Sequence, residues 1–308
     1  MSFINDLFGK THDQRKKNLI LTIYITTAVV LLLTVAIIVT LIADRTDMLP
    51  EGTPDDEIEQ NATPVTKKYD LDDTKKGTLL VINKNTDKYD FTINPESALK
   101  QMSANIQSVS GSAAYTLRND TLKANAEAIS ALNKMAKAFV EQNTTDKKLT
   151  VWTAYRSEEM QNAIPNSSVG GGHSDFHTGM LFELTINDSQ KSIKDDAAFK
   201  WIYDNAHKYG FIDRYPEAKS SATGITGFDN AFRYVGVAHA TYMKENNLCL
   251  EEYVARLQSS GGTALTAGDY SITYVKLNET GKTDVTLPSA SATVSGDNMG
   301  GIIITSKK

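Results

Sequence analysis

The longest uninterrupted apolar segment of the chain is Leu19–Ala43, 25 residues without Asp, Glu, Lys or Arg. A helix needs about 20 apolar residues to cross a bilayer. Buried core helices are usually shorter and carry a polar stripe. A cleaved signal peptide would have a shorter apolar region followed by a small-residue cleavage motif, which is not evident here. The pattern therefore predicts a transmembrane helix over residues 19–43, which would be the contact of the protein with the lipid bilayer.

The charges on either side of this segment predict its orientation. Seven acidic residues and one basic residue, Arg45, lie within residues 44–60. The residues before the segment are basic instead: Lys10, Arg15, Lys16 and Lys17. By the positive-inside rule, residues 1–18 stay in the cytoplasm and everything after residue 43 is exported. We therefore expect a single-pass protein of the cell membrane with an extracytoplasmic C-terminal part.

The composition and the hydrophobic pattern divide the exported part into three successive segments. Residues 44–77 are acidic and poor in large apolar residues, which indicates a flexible stalk. Residues 78–258 carry the apolar periodicity of a folded domain. The predicted strands of this domain are residues 78–83, 149–154 and 180–186, and its predicted helices are residues 121–142, 197–207, 235–246 and 250–257. Since strands and helices alternate irregularly, the α+β class is favoured.

The last 45 residues have a different pattern. Four short β-branched runs are separated by Gly, Asn and Asp, at residues 270–277, 283–287, 292–295 and 302–305. They predict a small β appendage over residues 263–308. The pattern does not decide between an independent appendage and strands added to the main domain.

Composition narrows the functional classes. The 308 residues include 32 Lys and Arg against 37 Asp and Glu, a net charge of −5, so no basic face for nucleic acid is indicated. The single cysteine, Cys249, excludes an internal disulfide and a multi-cysteine zinc site.

A series of short motifs stands out along the folded part of the chain. The motifs are residues 153–161 (TAYRSEEMQ), 174–179 (SDFHTG), 205–216 (NAHKYGFIDRYP), 223–225 (TGI), 232–236 (FRYVG) and 248–253 (LCLEEY). In their order and spacing, residues 78–255 resemble VanY-type D-alanyl-D-alanine carboxypeptidases, zinc enzymes that trim peptidoglycan stem peptides. The resemblance implies a central antiparallel sheet with flanking helices, and a bacterial cell-wall context.

The same alignment implies that the catalytic positions have changed. The family pattern S-x-H-x-x-G-x-x-x-D, anchored on Ser174 and Gly179, puts Phe176 at a zinc histidine and Glu183 at the zinc aspartate. The pattern E-x-x-H before residues 232–236 puts Phe228 at the general base and Ala231 at the second zinc histidine.

Phenyl and methyl groups cannot bind a metal, and one carboxylate cannot hold zinc against water. We therefore expect no bound zinc, no other cofactor and no intact catalytic residue. The scaffold motifs are nevertheless kept, which favours a retained function other than hydrolysis.

Other residues carry the remaining site predictions. The resemblance implies four peptide-binding positions, which are occupied here by Arg156, Ser157, Gln161 and Ser174. Guanidinium and amide groups suit a peptide end, although Arg156 and Gln161 could equally form a structural network. A shifted metal site made of His173, His177 and Glu183 is a further possibility.

Three functions follow from these observations. The first is a membrane-anchored pseudoenzyme that binds peptidoglycan stem peptide or an envelope protein. The second is an active zinc D,D-carboxypeptidase that uses the shifted metal site. The third is a structural or assembly protein in which the domain is a spacer. An open cleft lined by Arg156 would favour the first, and a cleft filled by Phe176 and Phe228 would favour the third.

Overall fold

The computed structural model describes residues 63–109, 111–143, 145–187 and 192–308. The predicted cytoplasmic N-terminus, the predicted transmembrane helix and the stalk up to residue 62 lie outside this part. No helix among the described residues has the length and apolar character needed to cross a bilayer. The described residues belong to one compact unit, Asn61–Lys308.

The regular elements are numbered in chain order. The α-helices are α1 (Ala126–Gln142), α2 (Glu158–Asn162), α3 (Lys200–Asn205), α4 (Ser220–Thr223), α5 (Val237–Glu245) and α6 (Leu250–Ser259). The strands are β1 (Val65–Tyr69), β2 (Lys100–Gln101), β3 (Ser108–Val109), β4 (Ser112–Ala113), β5 (Thr116–Leu117), β6 (Lys123–Ala124), β7 (Leu149–Thr153), β8 (Leu181–Ile186), β9 (Phe211–Asp213), β10 (Ala231–Tyr234), β11 (Leu265–Ala267), β12 (Tyr270–Lys276), β13 (Thr283–Leu287), β14 (Thr293–Gly296) and β15 (Gly301–Lys307).

A five-stranded sheet forms the centre of the unit, in the order β5-β7-β8-β10-β9. All its pairings are antiparallel except the short parallel pairing of β5 with β7. This confirms the predicted α+β class with an antiparallel central sheet and flanking helices.

Helix α1 covers one face of the sheet. Asn125 caps its start, because the side chain accepts bonds from the backbone N–H groups of Glu127 and Ala128. The helix therefore begins at residue 126 rather than at the predicted 121. Its apolar face is buried in a cluster that includes Leu149 of β7 and Phe182 of β8. Helical spacing of apolar residues thus places α1 against the strands that carry the candidate site.

The predicted strand at residues 78–83 is not formed. Leu79 and Val81 are nevertheless almost fully buried. The Val81 N–H donates to the backbone oxygen of Asp297, and the Leu79 N–H donates to Ser295 Oγ. An apolar run requires burial, and here an irregular segment satisfies this requirement with bonds to the C-terminal residues.

The predicted stalk is also partly wrong. Residues 65–69 form β1, which pairs antiparallel with β13 over its whole length. Its residues are mostly polar and exposed, so hydrophobicity gave no signal for this strand.

The C-terminal strands β11, β12, β15 and β14 form a second, antiparallel sheet. One of its faces packs on the α5–α6 pair, and the two share an apolar cluster that includes Val254, Leu257, Ile272 and Ile303. The sheet and the preceding helices therefore have a common core.

Candidate functional site

The four positions of the family's ligands and base converge in the structure. Ala231 on β10 lies directly opposite Glu183 on β8, and such cross-strand neighbours have Cβ atoms about 5 Å apart. Phe176, in the 3-10 helix Asp175–Thr178, belongs to the same apolar cluster as Ala231 and Phe228. The ring centroids of Phe176 and Phe228 are 6.0 Å apart. Phe176 and Ala231 are almost fully buried, so Phe176 and Phe228 pack into the region between these positions. We call the region around these four residues and Arg156 the cleft.

Arg156 places a fixed cation in this cleft. Its guanidinium carbon lies 3.9 Å from the ring centroid of Phe176. Its Nη2 is 4.0 Å from Glu183 Oε2, and its Nη1 donates to Gln161 Oε1 at 3.3 Å. The stacked geometry is a cation–π contact, which stabilises by about 0.5–2 kcal/mol depending on solvent exposure. A guanidinium therefore lies between the ring at one family ligand position and the carboxylate at another.

The electrostatics of the cleft depend mainly on burial. Burial raises the pKa of Glu183, against a hydrogen bond with Thr153 and the charges of Arg156 and Arg118. Burial also lowers the pKa of Arg156. Arg118 stacks on Trp152, with 4.0 Å from the guanidinium carbon to the ring centroid. Sequence reasoning missed Arg118, because it lies outside every family motif.

The other predicted peptide-binding residues have structural partners. The Gln161 side chain is buried, and its amide Nε2 donates to Ser167 Oγ and to the Val169 backbone oxygen at 3.1 and 3.0 Å. Ser157 Oγ accepts the Met160 N–H and caps α2. Ser174 is buried at the start of the 3-10 helix. Of the four predicted residues, Gln161 and Ser174 are buried, Ser157 is half-buried, and Arg156 retains 19% exposure of its side chain.

The shifted histidine site is not assembled. Both ring nitrogens of buried His177 are in use, since Nδ1–H donates to the Arg156 backbone oxygen at 2.7 Å and Nε2 accepts the Gly172 N–H at 3.0 Å. His173 Nδ1 lies 2.9 Å from the Asn83 backbone oxygen and donates to it. Within the described ranges, no three His, Cys, Asp or Glu side chains come close enough to hold a metal.

The residues present therefore do not fit the zinc that the family resemblance implies. Phe176 and Ala231 offer no donor atom, and Glu183 faces a guanidinium. Tight zinc sites use three or four protein ligands. The side chains of the cleft thus support no reaction step through a metal.

A network of buried charged side chains lies next to the cleft. Asp175 accepts bonds from Arg214 Nε at 2.5 Å and from Arg233 Nε at 2.9 Å, and none of the three side chains is exposed. Arg214 also makes two bonds to Glu251 of α6, at 2.9 and 2.7 Å. The network therefore links the 3-10 helix that carries Phe176 to β10 and α6.

Comparison with known proteins relates the chain to one family. The family model described as VanY, D-alanyl-D-alanine carboxypeptidase, matches residues 121–237. A D-alanyl-D-alanine carboxypeptidase of Enterococcus faecium is 33% identical over 154 residues, which are 49% of this chain and 48% of that protein. The chain thus spans about half the length of this curated relative and of two others, from Enterococcus faecalis and Bacillus subtilis.

Two further proteins are similar over a larger share of their own length. The bifunctional D-Ala-D-Ala dipeptidase and D-Ala-D-Ala carboxypeptidase VanXYC of Enterococcus gallinarum is 42% identical over 139 residues, 39% of this chain and 73% of that protein. The solved structure of the vancomycin resistance D,D-dipeptidase VanXYg superposes with a TM-score of 0.66 at 23% identity, covering 80% of this chain and all of that one. The similarity to the VanXYg structure supports the fold, and the similarity to VanXYC supports the family. The chain belongs to the VanY family of D-alanyl-D-alanine carboxypeptidases.

Proposed function

We propose that this protein is a membrane-anchored, extracytoplasmic pseudoenzyme that binds the free C-terminal carboxylate of a peptidoglycan stem peptide without hydrolysing it. The observation that carries the proposal is the guanidinium of Arg156, stacked on Phe176 where the family resemblance implies a zinc ligand.

The absence of hydrolysis follows from the groups in the cleft. Peptide hydrolysis by this family needs an activated water and a base that accepts its proton. Phe228 offers no base, and it packs instead on Tyr215 with 5.7 Å between the ring centroids. Glu183 carries the cleft's carboxylate, and Arg156 faces it at 4.0 Å. These groups can bind and orient a peptide, but they do not supply the chemistry of cleavage.

Binding of a carboxylate follows from the charges. Arg156 borders the cleft 4.0 Å from Glu183, and the charge of Arg118 also acts on that carboxyl group. A guanidinium donates in a fork that matches a carboxylate. Phe176 and Ala231, in the apolar cluster next to it, are almost fully buried, so the guanidinium and not this cluster makes the contact with the peptide end.

The binding experiment uses the full-length chain and a stem pentapeptide ending in D-Ala-D-Ala, measured by calorimetry. We expect saturable binding, at least about tenfold weaker for the peptide amide and for Arg156→Met, because charge-assisted hydrogen bonds are lost. The control Arg256→Met changes an exposed arginine of α6 and leaves the affinity unchanged. Equal affinity for the acid and the amide would contradict the proposal. No binding of either peptide would instead favour an envelope protein partner or a spacer role.

A second experiment tests the loss of the metal site. The combined variant Phe176→His, Glu183→Asp, Phe228→Glu and Ala231→His returns the family's donor set to positions that converge in the structure. We expect this variant to bind about one zinc per chain, while the natural chain supplied with zinc binds none and releases no D-alanine. Stoichiometric zinc in the natural chain, or D-alanine release by it, would overturn the pseudoenzyme assignment.

A further inference from the structure

A cavity of about 230 Å³ lies between α5 and the segment that runs from the end of α3 into β9. Part of its lining comes from the motif of residues 205–216, but none of the residues that border the cleft belongs to it. A histidine, an aspartate and a lysine line it: His207, Asp213 and Lys244. Its apolar lining includes Ala240, Met243 and Leu248.

The polar groups of this cavity are incompletely partnered. His207 Nδ1 is buried and has no hydrogen-bond partner among the described residues. Asp213 accepts a bond from the Tyr215 N–H and forms no ion pair with any residue that the structure describes. Lys244 Nζ makes a long bond of 3.4 Å to the Tyr203 backbone oxygen. The lining of one space therefore includes a carboxylate and an ammonium that form no ion pair with each other, and a histidine with one unbonded ring nitrogen.

Burial shifts the pKa of two of the titratable groups that line the cavity, Asp213 and His207. It raises the pKa of Asp213 to about 6 and lowers the pKa of His207, which Lys244 lowers further. Perturbed groups in a concave site are a physical indication of ligand binding when the geometry agrees. At neutral pH Asp213 is ionised and His207 is uncharged.

We propose that this cavity binds a small zwitterion of the amino-acid class. The ligand ammonium pairs with Asp213, its carboxylate pairs with Lys244 and accepts a hydrogen bond from His207, and its side chain lies against Ala240, Met243 and Leu248.

Charge and size both favour this ligand class. A simple anion would meet the carboxylate of Asp213, and a simple cation would meet the ammonium of Lys244. A zwitterion satisfies both. The volume corresponds to roughly eight waters at about 30 Å³ each, which suits an amino acid with a small side chain. The cavity is separate from the cleft, so its ligand does not depend on the function proposed there.

The test titrates the full-length chain with D-alanine, L-alanine, propionate and ethylamine, and measures binding by calorimetry. We expect at least one alanine enantiomer to bind with a Kd of about 1 mM or tighter. Propionate and ethylamine, which each carry one charge, are expected to bind at least about tenfold more weakly. Propionate that binds as tightly as alanine would overturn the zwitterion class, and a lack of saturable alanine binding would overturn the site.

Variants locate the binding. Asp213→Asn and Lys244→Met should each weaken alanine binding at least about tenfold. The matched controls Asp204→Asn and Lys208→Met remove exposed charges from the neighbouring segment and should leave it unchanged. Thermal unfolding of each variant shows that it is folded. Folded Asp213→Asn and Lys244→Met proteins that bind alanine as the natural chain does would contradict the assignment of this cavity.

Discussion

The carboxylate of Asp175 stabilises the segment that carries Phe176 by pairing with two buried arginines. Burial alone would raise the pKa of Asp175, but Arg233 and Arg214 outweigh it and hold the pKa below its usual range. A buried pair of this kind adds little net stability relative to an apolar replacement, because both partners lose water. Removing Asp175 is different, because Arg233 would stay buried without its acidic partner, while Arg214 would keep Glu251.

We therefore predict that Asp175→Asn lowers the free energy of unfolding by about 3–5 kcal/mol, measured by urea unfolding at neutral pH. The control Asp204→Asn removes an exposed partner of Lys200 and should cost less than about 1 kcal/mol. In the natural chain the contribution of Asp175 is complete above the unfolded pKa and is lost as pH falls through the lower folded pKa. A loss for Asp175→Asn no greater than the control's would refute the prediction.

The carboxyl group of Asp213 affects the pH dependence of stability in the opposite direction to Asp175. Its folded pKa of about 6 lies above the ordinary value of 3.8. The associated stability is complete below the unfolded pKa and is lost as pH rises through about 6, so ionised Asp213 destabilises the fold at neutral pH. We predict that Asp213→Asn raises the free energy of unfolding by about 1–2 kcal/mol at neutral pH, a shift discounted for partial exposure. The gain should shrink towards zero near pH 4 in urea titrations. A gain that does not depend on pH would point to another cause.

Individual site residues show what sequence can and cannot predict. The alignment of motifs brought Phe176, Glu183, Phe228 and Ala231 to one place, because register in the sheet follows from the sequence pattern. The stacking of Arg156 on Phe176 was not predictable, since it depends on a side-chain rotamer chosen among several within reach.

Helix α5 is connected to two other elements through one buried histidine. His239 Nδ1 lies 2.7 Å from Tyr253 Oη of α6, and its Nε2 lies 3.1 Å from Thr305 Oγ1 of β15. The neutral ring can serve both contacts, as a donor on one nitrogen and an acceptor on the other. Burial lowers the pKa of His239 to about 4.

The lowered pKa of His239 determines how the stability from these two contacts depends on pH. A histidine with a lowered folded pKa contributes stability that is complete above the unfolded value of 6.5 and is lost as pH falls through about 4. We predict a loss of about 3 kcal/mol across this range that is specific to His239. Urea unfolding of the natural chain and of His239→Gln is measured at several pH values. Because Gln does not titrate, the difference between the two proteins gives the loss due to His239. Parallel curves for the two proteins would contradict this account.

Elements differ in how strongly the sequence specifies them. The strands β7 and β8 and the helix α1 were predicted because their apolar periodicity coincides with burial on one face. The strand β1 was missed because its partner β13 is more than 200 residues away in the chain and its side chains are polar. A short polar strand acquires its conformation from pairing, which local periodicity does not reveal.

The arrangement of the described unit bears on the role of the C-terminal sheet. On β15, Ile302 and Ile304 face a cluster with Leu287 of β13, while Ile303 faces the cluster of α5 and α6. Alternation along the strand thus gives the sheet one face toward each of two apolar clusters. The sequence left open whether these strands form an independent domain, and the shared cluster indicates that they unfold together with the rest.

We predict that Ile303→Ala lowers the free energy of unfolding of the entire described unit by about 2–5 kcal/mol, because it leaves a cavity in the shared cluster. Both tryptophans, Trp152 and Trp201, lie outside the C-terminal sheet, so their fluorescence reports on the family portion. The fluorescence and circular dichroism midpoints in urea should fall together. Thr293→Ala, at an exposed position of β14, should change them by less than about 0.5 kcal/mol. A tryptophan transition unmoved by Ile303→Ala would show that the C-terminal sheet folds independently.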